Sequence, residues 1–288
     1  MKVYGKIVEV IANERIIRVK ETNRLLYLYM SRKLYKDYCQ YFHLYPYVFL
    51  EVNKEKRRIE DYVVYDINHF EKIIGPKTNQ KITYFDMNEV RVDTQKFLES
   101  LENKMFLDLE FSLPAYYQSI PHIPEIVQYG LVIEDKLGNI IYEESSLVKP
   151  KRMINLNNRT LKFLSRRRDE YDNAMTYMSF YNSLKELLYK YNPKIIAWGR
   201  SDLLTLESSF KLNKIKPIQL RKRYINIMQI IKNYYNQKDE IGLFQTYEDL
   251  TGERLQPQAH DALEDAVVTR KIYHIFKARL LEEKKSNF

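Results

Sequence analysis

The apolar positions of the N-terminal quarter recur at alternate residues in short runs, the period of half-buried β-strands. Such runs cover 2–11, Ile16–Lys20, Leu25–Met30, Tyr47–Asn53 and Tyr62–Ile67. Between the third and fourth, Ser31–Phe42 changes to a helical period, with Leu34, Tyr38 and Tyr41 on one face and Ser31 placed to cap it. A polar breaker, Gly75–Lys81, follows, and 88–103 then carries Val90, Phe97, Leu98 and Leu101 in a helix-like pattern. Met105–Phe111 is apolar and aromatic apart from two acids and predicts a buried strand. After Leu113–Pro124, a loop with three prolines, Glu125–Ile133 predicts another, and Ile140–Leu147 runs back from a turn at Asp135–Asn139. Asn158–Arg168 is polar, and Asn173–Tyr191 reads as a long helix with Met175, Met178, Tyr181, Leu184, Leu187 and Leu188 facing the core. Lys194–Gly199 predicts a short buried strand ending in a turn, Ser201–Leu206 opens a helix, and the last helix begins after Pro257.

Three strands, a helix and two strands is the order of an OB-fold barrel. A chain of 288 residues is comfortable for two domains. The division expected is an OB-like β-barrel over 1–80, a linker and connecting helix over 81–103, and an α/β domain over 104–288. In the barrel, Tyr4, Tyr27, Tyr29 and the run Lys54–Arg58 suit single-stranded nucleic acid, or equally barrel packing and a solvated hairpin turn. The formal charge of +9 suits a polyanionic partner, whereas the 25 tyrosines carry no functional weight by themselves. Cys39, the single cysteine, excludes an internal disulfide and a multi-cysteine zinc site, and fits a reducing cytosol. The start of the chain lacks a signal-peptide pattern, and no apolar stretch approaches the roughly 20 residues that span a bilayer. A cytoplasmic protein without a membrane partner is expected.

Asp108 and Glu110 lie two apart on a strand and therefore share a face. Two carboxylates side by side in an apolar strand repel each other and resist desolvation. A divalent cation would offset that cost; a solvated edge strand with an acidic outer face is the other reading. Asp202 falls where a strand ends and a helix begins, a place for a capping carboxylate and also where sites gather in α/β sheets. In Pro257–Val268, His260 lies at or just before the first turn, and Asp265 a little over one turn further in. Ala262, Ala266 and Thr269 share the face of Asp265, and such small residues allow an approach to the sheet that carries Asp265 toward the acidic strand. His260 taken alone reads as a surface loop histidine.

Taken together, Asp108-Leu109-Glu110, then Asp202, then His260 and Asp265 in His-Asp-Ala-Leu-Glu-Asp-Ala resemble the DEDDh exonucleases, the family of ribonuclease T and the proofreading subunit of bacterial replicase. The similarity covers about 104–282. Ala197-Trp198-Gly199-Arg200-Ser201-Asp202 departs from the commonest His-Asn-Ala form and looks more like the branch of Eri-1-type RNA exonucleases and KapD-like bacterial proteins. The resemblance implies an RNase H-like mixed sheet with flanking helices, with two Mg2+ or Mn2+ ions held by Asp108, Glu110, Asp202 and Asp265. It also implies His260 as general base and 3′→5′ release of nucleoside 5′-monophosphates from single-stranded nucleic acid, with RNA favoured and DNA possible. By the same resemblance Leu109 and Phe111, beside the first acids, are candidate contacts for the 3′-terminal nucleotide, and Trp198 is a candidate for base stacking; each is also a candidate core residue. Lys149–Arg152, Arg166–Arg168 and Arg221–Arg223 are phosphate-tracking candidates or solvated faces. The alternative class is a nucleic-acid-binding adaptor that uses its nuclease domain only to dock. The barrel and the positive charge favour the adaptor; the complete acid set favours the enzyme.

Overall fold

The computed structural model describes the chain apart from Asn23, 76–81, 118–120, 238–239, 256–259 and 287–288, and the side chains of 283–286. It divides into two compact units, Met1–Thr94 and Gln95–Phe288.

The first unit carries β1 (Lys2–Ile11), β2 (Ile16–Glu21), β3 (Arg24–Tyr29), α1 (Arg32–Tyr38), β4 (Tyr47–Ile59), β5 (Tyr62–Ile74) and β6 (Thr83–Asp86). β1 pairs antiparallel with both β2 and β4, β2 with β3, and β4 with β5. A parallel pairing of β3 with β5, Tyr27 opposite Val64, closes these five strands into a barrel. Each strand turns alternate apolar residues inward, so Val3, Ile7, Val19, Leu28, Val48, Leu50 and Phe70 form a dry core. Ser31 caps α1 by accepting from the Leu34 N–H at 3.2 Å. Two expectations change here. Lys54–Arg58 is not a turn: β4 and β5 continue past the barrel as a hairpin, and Lys54–Arg58 lies within β4. Thr83–Asp86, inside the stretch expected to connect the domains, pairs with β5 as β6. Apart from Gly75, the breaker Gly75–Lys81 lies outside the described residues, as does Pro257.

Helix α2 (Met87–Glu99) leads into the second unit. There follow β7 (Lys104–Phe111), β8 (Ile126–Glu134), β9 (Ile140–Lys149), α3 (Asn158–Phe163), β10 (Met175–Thr176), α4 (Tyr177–Lys190), β11 (Lys194–Ala197), α5 (Ser201–Leu212), β12 (Tyr224–Asn226), α6 (Ile227–Tyr235), α7 (Leu243–Thr251) and α8 (Ala262–Ser286). The strands form one mixed sheet in the order β10-β9-β8-β7-β11-β12, with β8 antiparallel to its neighbours and β11 and β12 parallel to β7. This is an RNase H-like sheet with helices on both faces. Met105, Leu107 and Leu109 of β7 pack on one face with Phe180, Leu184 and Leu206 of α4 and α5. Phe106 faces the other way, toward Ile272, Tyr273 and Phe276 of α8. Fully burying each such side chain contributes about 1.5–3 kcal/mol. The helix expected over Asn173–Tyr191 begins four residues later, because Thr176 caps it by accepting from the Ser179 N–H, and Met175 belongs to β10. Met178, expected in the core, is 48% exposed. No helix among the described residues is long and apolar enough to cross a membrane.

Candidate active site

Asp108 and Glu110 lie on the face of β7 that also carries Phe106, and so on the side of the sheet that packs against α8. Leu109 between them points into the opposite core and is 3% exposed. Its backbone N–H donates to Asp202 Oδ1 at 3.1 Å. Asp202 stands in the first turn of α5, where the helix N-terminus favours an anion. The turn that brings it there passes through Gly199 at φ +93°, a conformation side chains resist, and the Gly199 N–H donates to Asn226 Oδ1 at 3.2 Å.

Helix α8 supplies Asp265, and its approach depends on what β8 presents. Gly130 stands opposite Asp108 in the register; a Cβ there would lie 2.2 Å from Leu263 N and 2.4 Å from Ala262 C. The first turn of α8 therefore rests directly on the strand backbone. Asp261 pins it. Its Oδ1 accepts from the Leu263 and Glu264 N–H groups at 3.1 and 3.3 Å, capping the helix. Its Oδ2 accepts from Gln128 Nε2 at 2.8 Å and Arg166 Nη2 at 3.0 Å. Further along, Arg270 Nε donates to the fully buried Glu134 of β8 at 2.7 Å. Held this way, one carboxylate oxygen each of Asp108, Glu110 and Asp265 lies within 4.8 Å of the others.

This concentration of negative charge is poorly solvated: Glu110, Asp202 and Asp265 are all buried. Burial, then the nearby acids, lifts Asp108 well above the carboxylate range. Burial, then Asp265 and Asp202, lifts Glu110 to about 8. Burial lifts Asp202 to about 7 against the backbone N–H groups that hold it down. Three close carboxylate oxygens suit a hard divalent cation, whose oxygen ligands lie at about 2.0–2.6 Å, and the uncompensated charge is what such an ion would neutralise. A pH dependence follows. Acids whose folded pKa is raised favour the folded state below the unfolded value and lose that advantage as pH climbs through the folded one. The metal-free protein is therefore expected to lose thermal stability between pH 5 and 8.5, through about 7 for Asp202 and about 8 for Glu110. Saturating divalent cation should remove most of that slope. Melting curves in chelator and in excess cation measure both, and a metal-free Tm flat over this range would contradict the crowded-acid picture.

His260 sits just before α8 at φ +50°, its ring stacked on Phe163 with centroids 3.8 Å apart. Burial holds its pKa below the usual histidine value. Trp198 is half-buried, its indole N–H donating to the Ile241 carbonyl at 3.1 Å. It lines a cavity of about 490 Å³ with Asp108, Asp265, Arg200, Asn226 and Gln229. Phe111 is half-buried and packs against the core shared with α4 and α5. The basic clusters are largely engaged within the fold: Arg152 with Glu125, Arg166 with Asp261 and Glu170, Arg221 with Glu207. Gly130, Asp261, Gln128 and Phe163 escaped the sequence reading. An isolated glycine in an apolar strand and an acid just ahead of a helix were the available signals for the first two.

The ribonuclease T exonuclease family model matches residues 105–273, more than half the chain. The probable 3′-5′ exonuclease KapD of Bacillus subtilis strain 168 is 28% identical over 174 residues, which is 59% of this chain and 82% of that protein. Among solved structures, the nuclease domain of 3′hExo, a DEDDh family member bound to rAMP, superposes with a TM-score of 0.55 at 19% identity, covering 64% of this chain and 94% of that one. The cell-death related nuclease CRN-4 gives 0.52 at 20% identity, with 64% of each chain covered. The two structures share the fold. With the family match spanning β7 to α8, the strand and the helix that bring the carboxylates together, the chain belongs to the DEDDh family of 3′→5′ exonucleases.

Proposed function

We propose that the protein removes nucleotides from the 3′ end of single-stranded nucleic acid, RNA in preference to DNA, releasing nucleoside 5′-monophosphates. The observation that carries this reading is the convergence of Asp108, Glu110 and Asp265 within 4.8 Å, with Asp202 held to the backbone between the first two. Membership of the family implies divalent metal ions. Asp108, Glu110, Asp202 and Asp265 are the residues that would hold them, as two Mg2+ or Mn2+. When bound, such a pair stabilises the attacking and leaving oxygens of a phosphodiester in line.

The chain's own residues do the rest. The Leu109 N–H keeps Asp202 from turning away from the cluster. The Asp261 clamp holds α8, and with it Asp265, against β8. Phe163 stacks on one face of the His260 ring. With its pKa lowered by burial, the ring is neutral at pH 7 and a ring nitrogen accepts the proton of the attacking water. The cavity beside Trp198 falls within the size range of small-ligand pockets and receives the terminal nucleotide, with Arg200 at its rim for a phosphate. The preference for RNA draws support from relatives of like fold, one bound to rAMP and one recognising a histone mRNA stem-loop.

The test is digestion of matched 5′-labelled RNA and DNA strands with Mg2+ or Mn2+. A ladder shortening from the 3′ end, faster for RNA, is expected; internal cuts, or no cleavage with either metal, would overturn the proposal. In the same assay His260→Ala should lower kcat by about 10²–10⁴-fold and leave the cation-dependent rise in Tm intact. Added imidazole should restore part of the rate. Loss of the Tm rise would make His260 a ligand instead.

A further inference from the structure

The barrel carries a second surface with a chemistry of its own. On β2, Ile17 and Val19 are fully buried, so Arg18 between them points outward; on β3, Leu28 is buried and Tyr27 and Tyr29 point outward. Arg18 pairs in register with Tyr27 and lies over its ring at 5.9 Å. Tyr29 receives guanidinium groups from two other places. Arg15, in the turn between β1 and β2, lies 5.4 Å from its ring centroid and donates to its hydroxyl at 2.8 Å. Arg57, on the hairpin of β4 and β5, lies 4.5 Å from the same ring. Tyr62, from the same hairpin, sets its ring 5.1 Å from that of Tyr27.

We infer that this face, bounded by the β1–β2 turn and the β4–β5 hairpin, binds a single strand of nucleic acid. The choice of occupant rests on the exonuclease reading; the surface itself is read from its chemistry. A self-contained network that merely covers the barrel would neutralise its cations. Arg18 has Glu9 at 3.1 Å and Arg57 has Asp66 at 2.9 Å. Arg15 has no carboxylate partner among the described residues, and its Nε is buried without a hydrogen-bond partner. A guanidinium charge without a carboxylate beside it is one that a phosphate would neutralise. Along the hairpin Lys56 lies over the Tyr65 ring, whose register neighbour Leu28 points inward, so Lys56 and Arg58 take the face opposite Arg57, and Arg57 is the hairpin cation on the proposed binding face. Half-exposed rings at the spacing of Tyr27 and Tyr62 offer faces that unpaired bases use and an acidic peptide does not. A duplex keeps its base faces covered, which favours the single strand.

The test uses the full chain carrying Asp108→Asn, so that the strand survives, and labelled RNA and DNA strands of about 20 nucleotides, longer than the roughly 4–16 one such barrel covers. Arg15→Ala with Arg57→Ala is expected to weaken binding of these strands about tenfold and to reduce the slope of log Kd against log salt by about 1.4, two phosphates' worth. Arg57→Ala alone, at an exposed position on the hairpin, should act in the same direction and guards against misfolding of the pair. In the chain with Asp108 intact, either variant should raise KM for the long strand and leave kcat on a dinucleotide unchanged. Unchanged Kd in both variants, or a blunt duplex bound as tightly as the single strand, would overturn the inference. A wild-type chain that cleaves nothing would remove the exonuclease proposal and leave the binding comparison standing.

Discussion

Replacing Asp108 with Asn is expected to abolish strand cleavage and, at the same time, to make the metal-free protein more stable. On the proposed mechanism Asp108 is the acid most crowded by the others, since Asp202, Asp265, Glu110 and Asp261 all push its pKa upward after burial has done so. The amide keeps the shape and loses the charge, so kcat should fall on the order of 10⁴-fold, as for other groups that act as a unit. The stability change has the opposite sign. A carboxylate with a raised folded pKa destabilises the fold increasingly as pH rises above its unfolded value, and a neutral Asn does not. The gain in Tm over the wild type should be absent near pH 4 and grow as pH rises to 8 in chelator, because the amide removes a charge that burial and then the neighbouring acids disfavour. Excess cation should then reverse the order, because only the wild type retains its full ligand set. Calorimetry in chelator and in cation, with a cleavage assay, reads all three. An Asp108→Asn protein that cleaves normally removes the proposed mechanism. One that is inactive but less stable in chelator at every pH shows that Asp108 is held by partners and not repelled by neighbours.

Much of this site was legible because a strand repeats every two residues. That period placed Asp108 and Glu110 together, and applied to Leu109 it also implies the opposite face, where the side chain lies in the core. The family resemblance offered Leu109 as a substrate contact or a core residue, and its side chain takes the core position. The small face of the last helix was legible for a similar reason: Ala262, Ala266 and Thr269 are buried against the sheet, and Asp265 shares their side. The surface that receives this helix was not, because an isolated glycine such as Gly130 in a buried strand signals a close approach without naming what approaches. Its meaning comes from a partner more than 130 residues away in sequence. In the barrel, the sequence order of strands and helix held, but Lys54–Arg58 looked like a turn because a hairpin extending past the barrel is solvated on both sides and shows no alternation. The short elements β12, α6 and α7 passed without assignment for a related reason. α6 is opened by a local cap, Asn226 accepting from the Gln229 N–H, and each of the three is too short to establish a period.

Gly130→Ala is expected to be the most damaging single-methyl change in the second unit. The added carbon would meet Leu263 N at 2.2 Å, Leu263 Cα at 2.3 Å and Ala262 C at 2.4 Å, all backbone atoms of the first turn of α8. No rotamer change relieves such a contact, so the helix start must lift from β8 by about 1 Å or more to restore ordinary packing. Two consequences follow from what is anchored there. Asp261 would be drawn from Gln128 and Arg166, loosening the cap and its clamp. Asp265 would move away from Asp108 and Glu110, opening a cluster that now fits within 4.8 Å. A displacement of about 1 Å at a reacting centre costs on the order of 10²-fold in rate, and overpacking of this kind about 1–3 kcal/mol in stability. The expected protein is therefore folded, with Tm lower by several degrees, kcat reduced about a hundredfold, and a higher cation concentration needed to raise its Tm. The last of these separates a displaced Asp265 from simple loss of stability, since a merely weakened fold would bind the cation with unchanged midpoint. A Gly130→Ala protein with wild-type kcat and an unshifted midpoint would mean that the seat of α8 on β8 does not position the acid, and that Asp265 reaches the cluster by some other support.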